Sequence, residues 1–223
     1  RKISQTLELN SYVKKPINKI VSHIPYSQST CNGKCEEIQA SSKGYKTFVK
    51  KNVWHLSRKM YALDVESVYT RHGQAVGRVT VVHCNGATVI DAIVKPKDAV
   101  YDCVTKYSLL TLGHFKYATE TIESIREKIV DFINEQSILV GHALNGDLKA
   151  LGIIHDNVID TSILYCVNGR RPSLRQLTST HLKFEIQNGT DGHCSKEDAV
   201  ASLQLVYFGA LNPTSLSPFF QKL

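Results

Sequence analysis

Four carboxylates and one histidine in this sequence have the residue types and positions that metal-dependent chemistry requires. Each stands where an apolar run ends or gives way to a helical pattern: Asp64, Glu66, Asp147, His193 and Asp198. Two like charges about 4 Å apart repel each other by roughly 4 kcal/mol at an effective dielectric constant of about 20. If the fold brings these carboxylates together, they must protonate, move apart or bind cations. Carboxylate oxygens suit Mg²⁺ and Mn²⁺, so the sequence predicts a site for divalent metal ions.

The first acidic pair lies in the apolar run at residues 60–66, a pattern typical of a β-strand. Side chains two residues apart on a strand share one face, so Asp64 and Glu66 would point the same way. Leu63 and Val65 would then face the core. The alternative is an edge strand whose acidic face is solvated.

Asp147 follows a short apolar strand predicted at residues 137–140 and lies at the start of a helix predicted at about 147–151. Ligands of α/β proteins collect beyond the carboxyl ends of parallel strands, which favours a functional role for Asp147. An acid placed in the first helical turn by the helix dipole would give the same pattern. His142, in the connecting turn, is interpreted as a structural histidine.

The third motif combines His193 in a loop with Asp198 in the last helix, which is predicted at residues 196–208. This helix is expected to bury Ala199, Leu203, Val206 and Tyr207. A competing interpretation exists for Asp198, because Ser195-x-x-Asp198 also matches a capping box that would only begin the helix.

The remaining elements predict a mixed α/β sheet that is flanked by helices. An Asn85-Gly86 hairpin signal joins strands in an antiparallel three-strand meander at residues 60–66, 76–83 and 88–94. A further strand is predicted at residues 158–159, and Pro172 is expected to open a helix through Leu174 and Leu177. Helical periodicity also predicts one buried face formed by Ile122, Ile125, Ile129, Phe132 and Ile133.

Composition favours an ordinary folded domain that carries an extension. The chain has 223 residues, of which 42% are hydrophobic, and a net charge of +7. A basic exterior around an acidic centre suits a protein that attracts a polyanion such as RNA. We expect a basic, largely irregular extension at residues 1–57, a catalytic domain at 58–210 and a tail at 211–223. Because the sequence begins with Arg1, it is interpreted as a fragment of a larger protein.

The scattered cysteines are typical of reduced intracellular thiols rather than of a disulfide framework. Cys31 and Cys35 form a lone C-x3-C pair, which lacks the further ligands that a zinc site needs. No apolar stretch approaches the roughly 20 residues of a membrane-spanning helix, so no membrane association is expected.

The order and contexts of the three acidic motifs resemble those of the DEDDh exonucleases, which have the ribonuclease H-like fold. Asp64-x-Glu66 is similar to the family's first motif, residues 141–148 to its GH-x-L-x-x-D-L, and His193-x4-Asp198 to its last. The surrounding segments YALDVESVYT, GRVTVV, VIDTSILY and DGH-x-S-x-EDA further resemble the Rex-type RNA exonucleases of eukaryotes. This resemblance covers roughly residues 60–208.

The resemblance implies a 3′–5′ exoribonuclease that releases 5′-mononucleotides from single-stranded RNA with two divalent ions, Mg²⁺ or Mn²⁺. Asp64 would bridge both ions, Glu66 and Asp198 would help hold one, and Asp147 would support the other. His193 would act as general base on the attacking water. Residence in the nucleus is implied on the same ground.

Two departures from the family pattern concern residues near the expected site. Val65 and Ser67 stand where the family has Cys and Met, and Leu109 replaces a glycine, so we expect a rebuilt loop there. Ser67 and Leu144 are candidate substrate contacts. An inactive nucleic-acid-binding or scaffold module on the same fold and a DNA-directed exonuclease remain alternative functions.

Overall fold

The structure, a computed structural model, describes residues 46–47, 59–187 and 192–222. Of the predicted extension at residues 1–57, only two residues are therefore described. The Cys31–Cys35 pair lies outside the described residues. Within them, Cys103 and Cys194 are free thiols.

The strands of the described residues are β1 (Lys46–Thr47), β2 (Met60–Thr70), β3 (Gly73–His83), β4 (Thr88–Ile93), β5 (Val100–Asp102), β6 (Ile138–Gly141), β7 (Ile153–Ile154) and β8 (Val158–Asp160). A mixed sheet forms the centre of the fold, with strand order β4-β3-β2-β6-β8 and with β5 paired to the far end of β2. The β2–β3, β3–β4 and β2–β5 pairs are antiparallel, whereas β6 is parallel to both β2 and β8. A separate short parallel pair joins β1 to β7.

Helices cover both faces of this sheet. The α-helices are α1 (Thr105–Ser108), α2 (Leu112–Phe115), α3 (Ile122–Phe132), α4 (Asn145–Leu151), α5 (Thr161–Leu164), α6 (Leu174–Leu177) and α7 (Ser195–Leu211). A π-helical turn, Thr178–Leu182, continues α6, and 3₁₀ turns at Pro213–Ser215 and Phe220–Lys222 follow α7. None of the helices in the described ranges is long and apolar enough to cross a membrane.

The predicted antiparallel meander and its hairpin are confirmed. The Asn85-Gly86 turn closes with a hydrogen bond from the His83 amide to the Ala87 carbonyl (2.8 Å). Gly86 has φ +85°, the backbone region that glycine tolerates best. The expected mixed α/β sheet with flanking helices is therefore the observed architecture.

Two apolar cores lie on opposite faces of the sheet because strand side chains alternate. Ala62 and Val140 pack on one side with α7, whose Ala199, Leu203, Val206 and Tyr207 are buried as predicted. Leu63 and Leu139 pack on the other side with α3 and α4. Residues after α7 return to the first core, where Leu216 and Phe220 are buried. The sheet is thereby held between two layers, which fixes the strand ends that carry the acidic residues.

Two local predictions are wrong. Phe132, in the last turn of α3, does not share the buried face with Ile125 and Ile129 but is 45% exposed, although the next residue, Ile133, is buried. Pro172 does not open α6. The helix begins at Leu174, and the Ser173 side chain caps it by accepting from the Gln176 amide.

Candidate active site

Asp64 and Glu66 lie on an interior strand of the sheet. β2 is paired with β3 on one side and β6 on the other, so the solvated-edge interpretation is wrong. Asp64 lies two residues beyond the last β2–β6 pair, Ala62 with Val140, at the carboxyl end of β6. Glu66 is 9% exposed and Asp64 is half-buried. Both carboxylates thus lie near the carboxyl end of a parallel strand, the end at which ligands of α/β sheets bind.

Asp147 reaches this end of the sheet from the first turn of α4. The chain leaves β6 at Gly141, where a Cβ atom would lie 2.7 Å from a Leu144 methyl and 3.0 Å from the Leu63 carbonyl oxygen. Only glycine allows the α4 loop to approach β2 so closely. His142 is structural, as expected: its Nδ1 lies 3.0 Å from the Thr161 hydroxyl, and burial lowers its pKa.

Asp160, at the end of β8, holds the loop that leads to Asp147. Its two carboxylate oxygens accept the amides of Ala143 (2.9 Å) and Leu144 (3.0 Å). Asp160 Oδ1 also accepts hydrogen bonds from the amide and the hydroxyl of Ser162, and Asp160 is thereby the N-cap residue of α5. Ala143 has φ +55°, a strained value for a residue with a side chain, and these bonds offset that strain. Sequence reasoning missed this role, although an acid directly before Thr-Ser is a recognisable N-cap signal.

We expect Asp160→Asn to lower the free energy of unfolding by about 1–3 kcal/mol, because an amide nitrogen would face a backbone donor in place of a charged acceptor. Urea denaturation, with exposed Asp156→Asn as the matched control, measures the difference. An Asp160→Asn protein as stable as its control would show that these bonds contribute little.

Asp198 enters the same region from the first turn of α7. The capping-box interpretation is wrong, because Cys194 is the N-cap residue and the Ser195 hydroxyl instead lies 2.7 Å from the Thr80 hydroxyl, in the core. Asp198 is 6% exposed. Its Oδ2 accepts from the Gln187 side-chain amide (2.9 Å), while its buried Oδ1 has no hydrogen-bond partner among the described residues.

His193 lies in the loop before α7, as predicted, with its Nδ1 3.9 Å from Asp198 Oδ2. Its side chain is 37% exposed, so one edge of the ring is open to solvent. The His193 amide donates to the Tyr107 carbonyl (2.6 Å), and the two rings meet edge to face with centroids 5.9 Å apart. A histidine held by its backbone and open at its ring can exchange protons with a bound molecule.

The four carboxylates are close enough to affect one another's ionisation. Burial raises the pKa of Asp64 well above its usual value, and the neighbouring charges of Asp147, Asp198 and Glu66 raise it further. Burial, followed by the charge of Asp198, raises the pKa of Glu66 to about 7. Four acids from three elements therefore share one low-polarity region.

The pKa values of the other two acids are raised as well. Burial is the main cause for Asp147, and the nearby carboxylates of Asp160 and Glu66 add to it. For Asp198, burial raises the pKa to about 6 in spite of the hydrogen bond from Gln187 and the nearby His193. A cation near this region would favour the charged forms of all four acids.

The donor set suits a hard divalent cation, although it is not arranged as a finished coordination sphere. In the described part of the chain, no three or more acidic, histidine or cysteine side chains are already grouped so as to hold a metal ion. Asp198 Oδ1 is buried and has no hydrogen-bond partner in the described ranges, which fits an oxygen that could bind a cation.

The two candidate substrate contacts, Leu144 and Ser67, differ in how deeply they are buried. Leu144 is fully buried, with 0% exposure, and packs in the core beside Leu63 and Leu139. Its burial favours a packing role for Leu144 in the α4 loop, and a substrate contact there stays a prediction. Ser67 is half-buried on β2, directly after Glu66, where the pairing with β3 shifts register. A substrate contact at Ser67 stays a prediction.

Comparisons with known proteins relate this chain to exonucleases. It is 38% identical over 162 residues to the protein named exonuclease GOR of Pan troglodytes, and 37% identical over 164 residues to human RNA exonuclease 1 homolog. These matches cover 71% and 72% of this chain but only 24% and 13% of the relatives, so the chain spans less than a quarter of their length. No family model matches the sequence.

A solved structure independently gives the fold. The Saccharomyces cerevisiae Pan2 pseudoubiquitin hydrolase–RNA exonuclease module in complex with A7 RNA superposes with a TM-score of 0.66 at 23% identity, covering 81% of this chain and 32% of that one. The fold is that of DEDD-type exonuclease domains of the ribonuclease H-like class. The chain is a homologue of proteins named RNA exonucleases, as the resemblance of its motifs implied.

Proposed function

We propose that this chain is a metal-dependent 3′–5′ exoribonuclease that shortens single-stranded RNA one nucleotide at a time. The observation that carries the proposal is that β2, α4 and α7 bring four carboxylates to one region, where the charges of Asp147, Asp198 and Glu66 act on Asp64. His193 lies beside them, with its Nδ1 3.9 Å from Asp198 Oδ2. Homologues named for RNA exonuclease activity support this choice. The net charge of +7 would attract a polyanionic substrate in spite of the acidic centre.

The proposed reaction is hydrolysis of the last phosphodiester bond at a 3′ end. The oxygen of a water molecule bonds to phosphorus, the 3′ oxygen of the shortened strand leaves and takes a proton, and a 5′-mononucleotide is released. His193 removes a proton from the attacking water, a role for which its open ring edge suits it. Two divalent ions, Mg²⁺ or Mn²⁺, would supply charge stabilisation at the phosphate and would be held by Asp64, Glu66, Asp147 and Asp198.

The alternative of an inactive scaffold module is less well supported. Buried carboxylates are costly unless they are paired or bound to cations. The acidic region retains four of them, and one oxygen of Asp198 has no partner among the described residues. A scaffold would gain stability by replacing these groups with apolar side chains, so their presence favours catalysis.

Single-stranded RNA with a 5′ label tests the proposal directly. With Mg²⁺ or Mn²⁺ we expect a ladder of products that shorten from the 3′ end, and no ladder in a chelator. A circular RNA of the same sequence should persist, because an exonuclease needs an end. Binding without cleavage would favour the scaffold, and cleavage of single-stranded DNA alone would favour the DNA-directed enzyme. Residence in the nucleus and membership of a longer protein stay predictions.

A further inference from the structure

We propose that Gly192 and residues 103–110 form a positioning device for His193. The inference rests on the proposed function in one respect only, which is that His193 serves the reaction. Residues 103–110, hereafter the 103–110 segment, run from the end of β5 through α1. No motif resemblance assigns this segment a role. Leu109, within it, stands where the family that the sequence resembles has a glycine.

The 103–110 segment is internally rigid. The Ser108 hydroxyl donates to the Cys103 carbonyl (2.6 Å) and accepts from the Leu110 amide (3.0 Å), and Ser108 is 2% exposed. The Thr105 hydroxyl donates to the Leu110 carbonyl (2.6 Å). Leu110 is itself buried against Val68 of β2, which ties the segment to the strand that carries Asp64 and Glu66.

Two residues of the 103–110 segment have a left-handed backbone conformation. Val104 has φ +50° and Leu109 has φ +58°, values that are unfavourable for a residue with a side chain. Such strain persists only where surrounding contacts determine the conformation. The left-handed backbone at Leu109 is one that glycine adopts more readily, and the rebuilt loop expected from the sequence stays a prediction.

Gly192 and His193 pack closely against the backbone of the 103–110 segment. Gly192 has φ +113°, and a Cβ atom on it would lie 2.6 Å from the Thr105 carbonyl oxygen and 2.8 Å from the Leu109 nitrogen. Both are backbone atoms, which cannot move aside as a side chain can. The adjoining hydrogen bond from the His193 amide to the Tyr107 carbonyl then fixes the next residue.

This packing matters because His193 and Asp198 reach the site independently. Asp198 is fixed by α7, whereas His193 lies outside the helix and depends on the 103–110 segment for its position. A displacement of about 1 Å in a reacting group can cost on the order of 100-fold in rate. Gly192 is therefore a positioning residue, since it acts through His193 and touches no reacting atom.

Gly192→Ala tests the inference, with Gly73→Ala as a matched control. Gly73 has φ +107°, close to that of Gly192, but nothing lies within 4 Å of its would-be Cβ atom. Both variants therefore carry similar backbone strain, and only Gly192→Ala carries the clash. We expect Gly192→Ala to lower kcat at least 10-fold relative to Gly73→Ala, with the KM for RNA nearly unchanged. In a His193→Ala background, the same change should cost no further activity.

A second measurement does not depend on activity. In the wild-type protein, NMR should detect a nuclear Overhauser effect between the ring protons of His193 and Tyr107, whose rings meet edge to face. Gly192→Ala should remove this effect and Gly73→Ala should retain it. The inference is overturned if Gly192→Ala retains it, matches the control in kcat, or loses activity additively with His193→Ala. An inactive wild-type protein whose NMR behaviour is as expected would contradict only the proposed function.

Discussion

Replacing Asp64 by asparagine is expected to reduce the rate of RNA hydrolysis by at least about 1,000-fold. Burial raises the pKa of Asp64, and the charges of all three other carboxylates raise it further, so Asp64 is within electrostatic reach of each of them. Loss of its charge would weaken every divalent ion bound there, and with it several kcal/mol of stabilisation at the reacting phosphate. Single-turnover kinetics at saturating Mn²⁺ provide the measurement. Asp131→Asn, on the exposed face of α3, is the matched control.

The same substitution should have the opposite effect on stability. Without metal, Asp64→Asn is expected to raise the free energy of unfolding by roughly 1–3 kcal/mol at pH 8, because it removes a buried charge among like charges. The pKa of Asp64 is higher in the folded protein than in the unfolded chain. The wild type is therefore penalised increasingly as the pH rises from about 4 towards the folded-state pKa, and hardly at all below that window.

Two outcomes of these experiments would contradict this picture. A metal-free Asp64→Asn protein less stable than the wild type at pH 8 would mean that Asp64 is held by favourable partners. A stability gain of the same size at pH 4 and pH 8 would mean that charge is not the cause. Added Mn²⁺ should reverse the order, since ions that bind only the folded wild type stabilise it by mass action.

The second large effect is expected from His193→Ala, which should lower kcat by about 100- to 10,000-fold, the usual range for loss of a general base. Binding of Mn²⁺, measured by calorimetry, should change little, because the carboxylates remain. His72→Ala is a suitable control, since that side chain is 78% exposed in the β2–β3 turn. Unaltered turnover at neutral pH would rule out His193 as the base.

Local sequence patterns predicted much of the fold and identified the candidate site residues. Alternation on β2 put Asp64 and Glu66 on one face, and Asn85-Gly86 identified the hairpin, because both signals depend on residues close together in sequence. The same holds for the apolar face of α7, apart from its first turn. Phe132 shows the limit of such patterns, since helical period places it on the buried face of α3 but does not reveal that the surrounding packing leaves it 45% exposed.

Only the tertiary structure decided which side chains contact each other when they are far apart in the sequence. Ser195 matches a helix cap by its local pattern, but its hydroxyl lies 2.7 Å from the hydroxyl of Thr80 on β3. The local pattern at Asp160 indicates a helix cap but not its bonds to the amides of Ala143 and Leu144, because these amides lie on another loop. The sequence by itself thus determined which groups could do chemistry and which elements carry them. Only packing decided their neighbours, because hydrogen bonds and close contacts between distant segments leave no periodic trace along the chain.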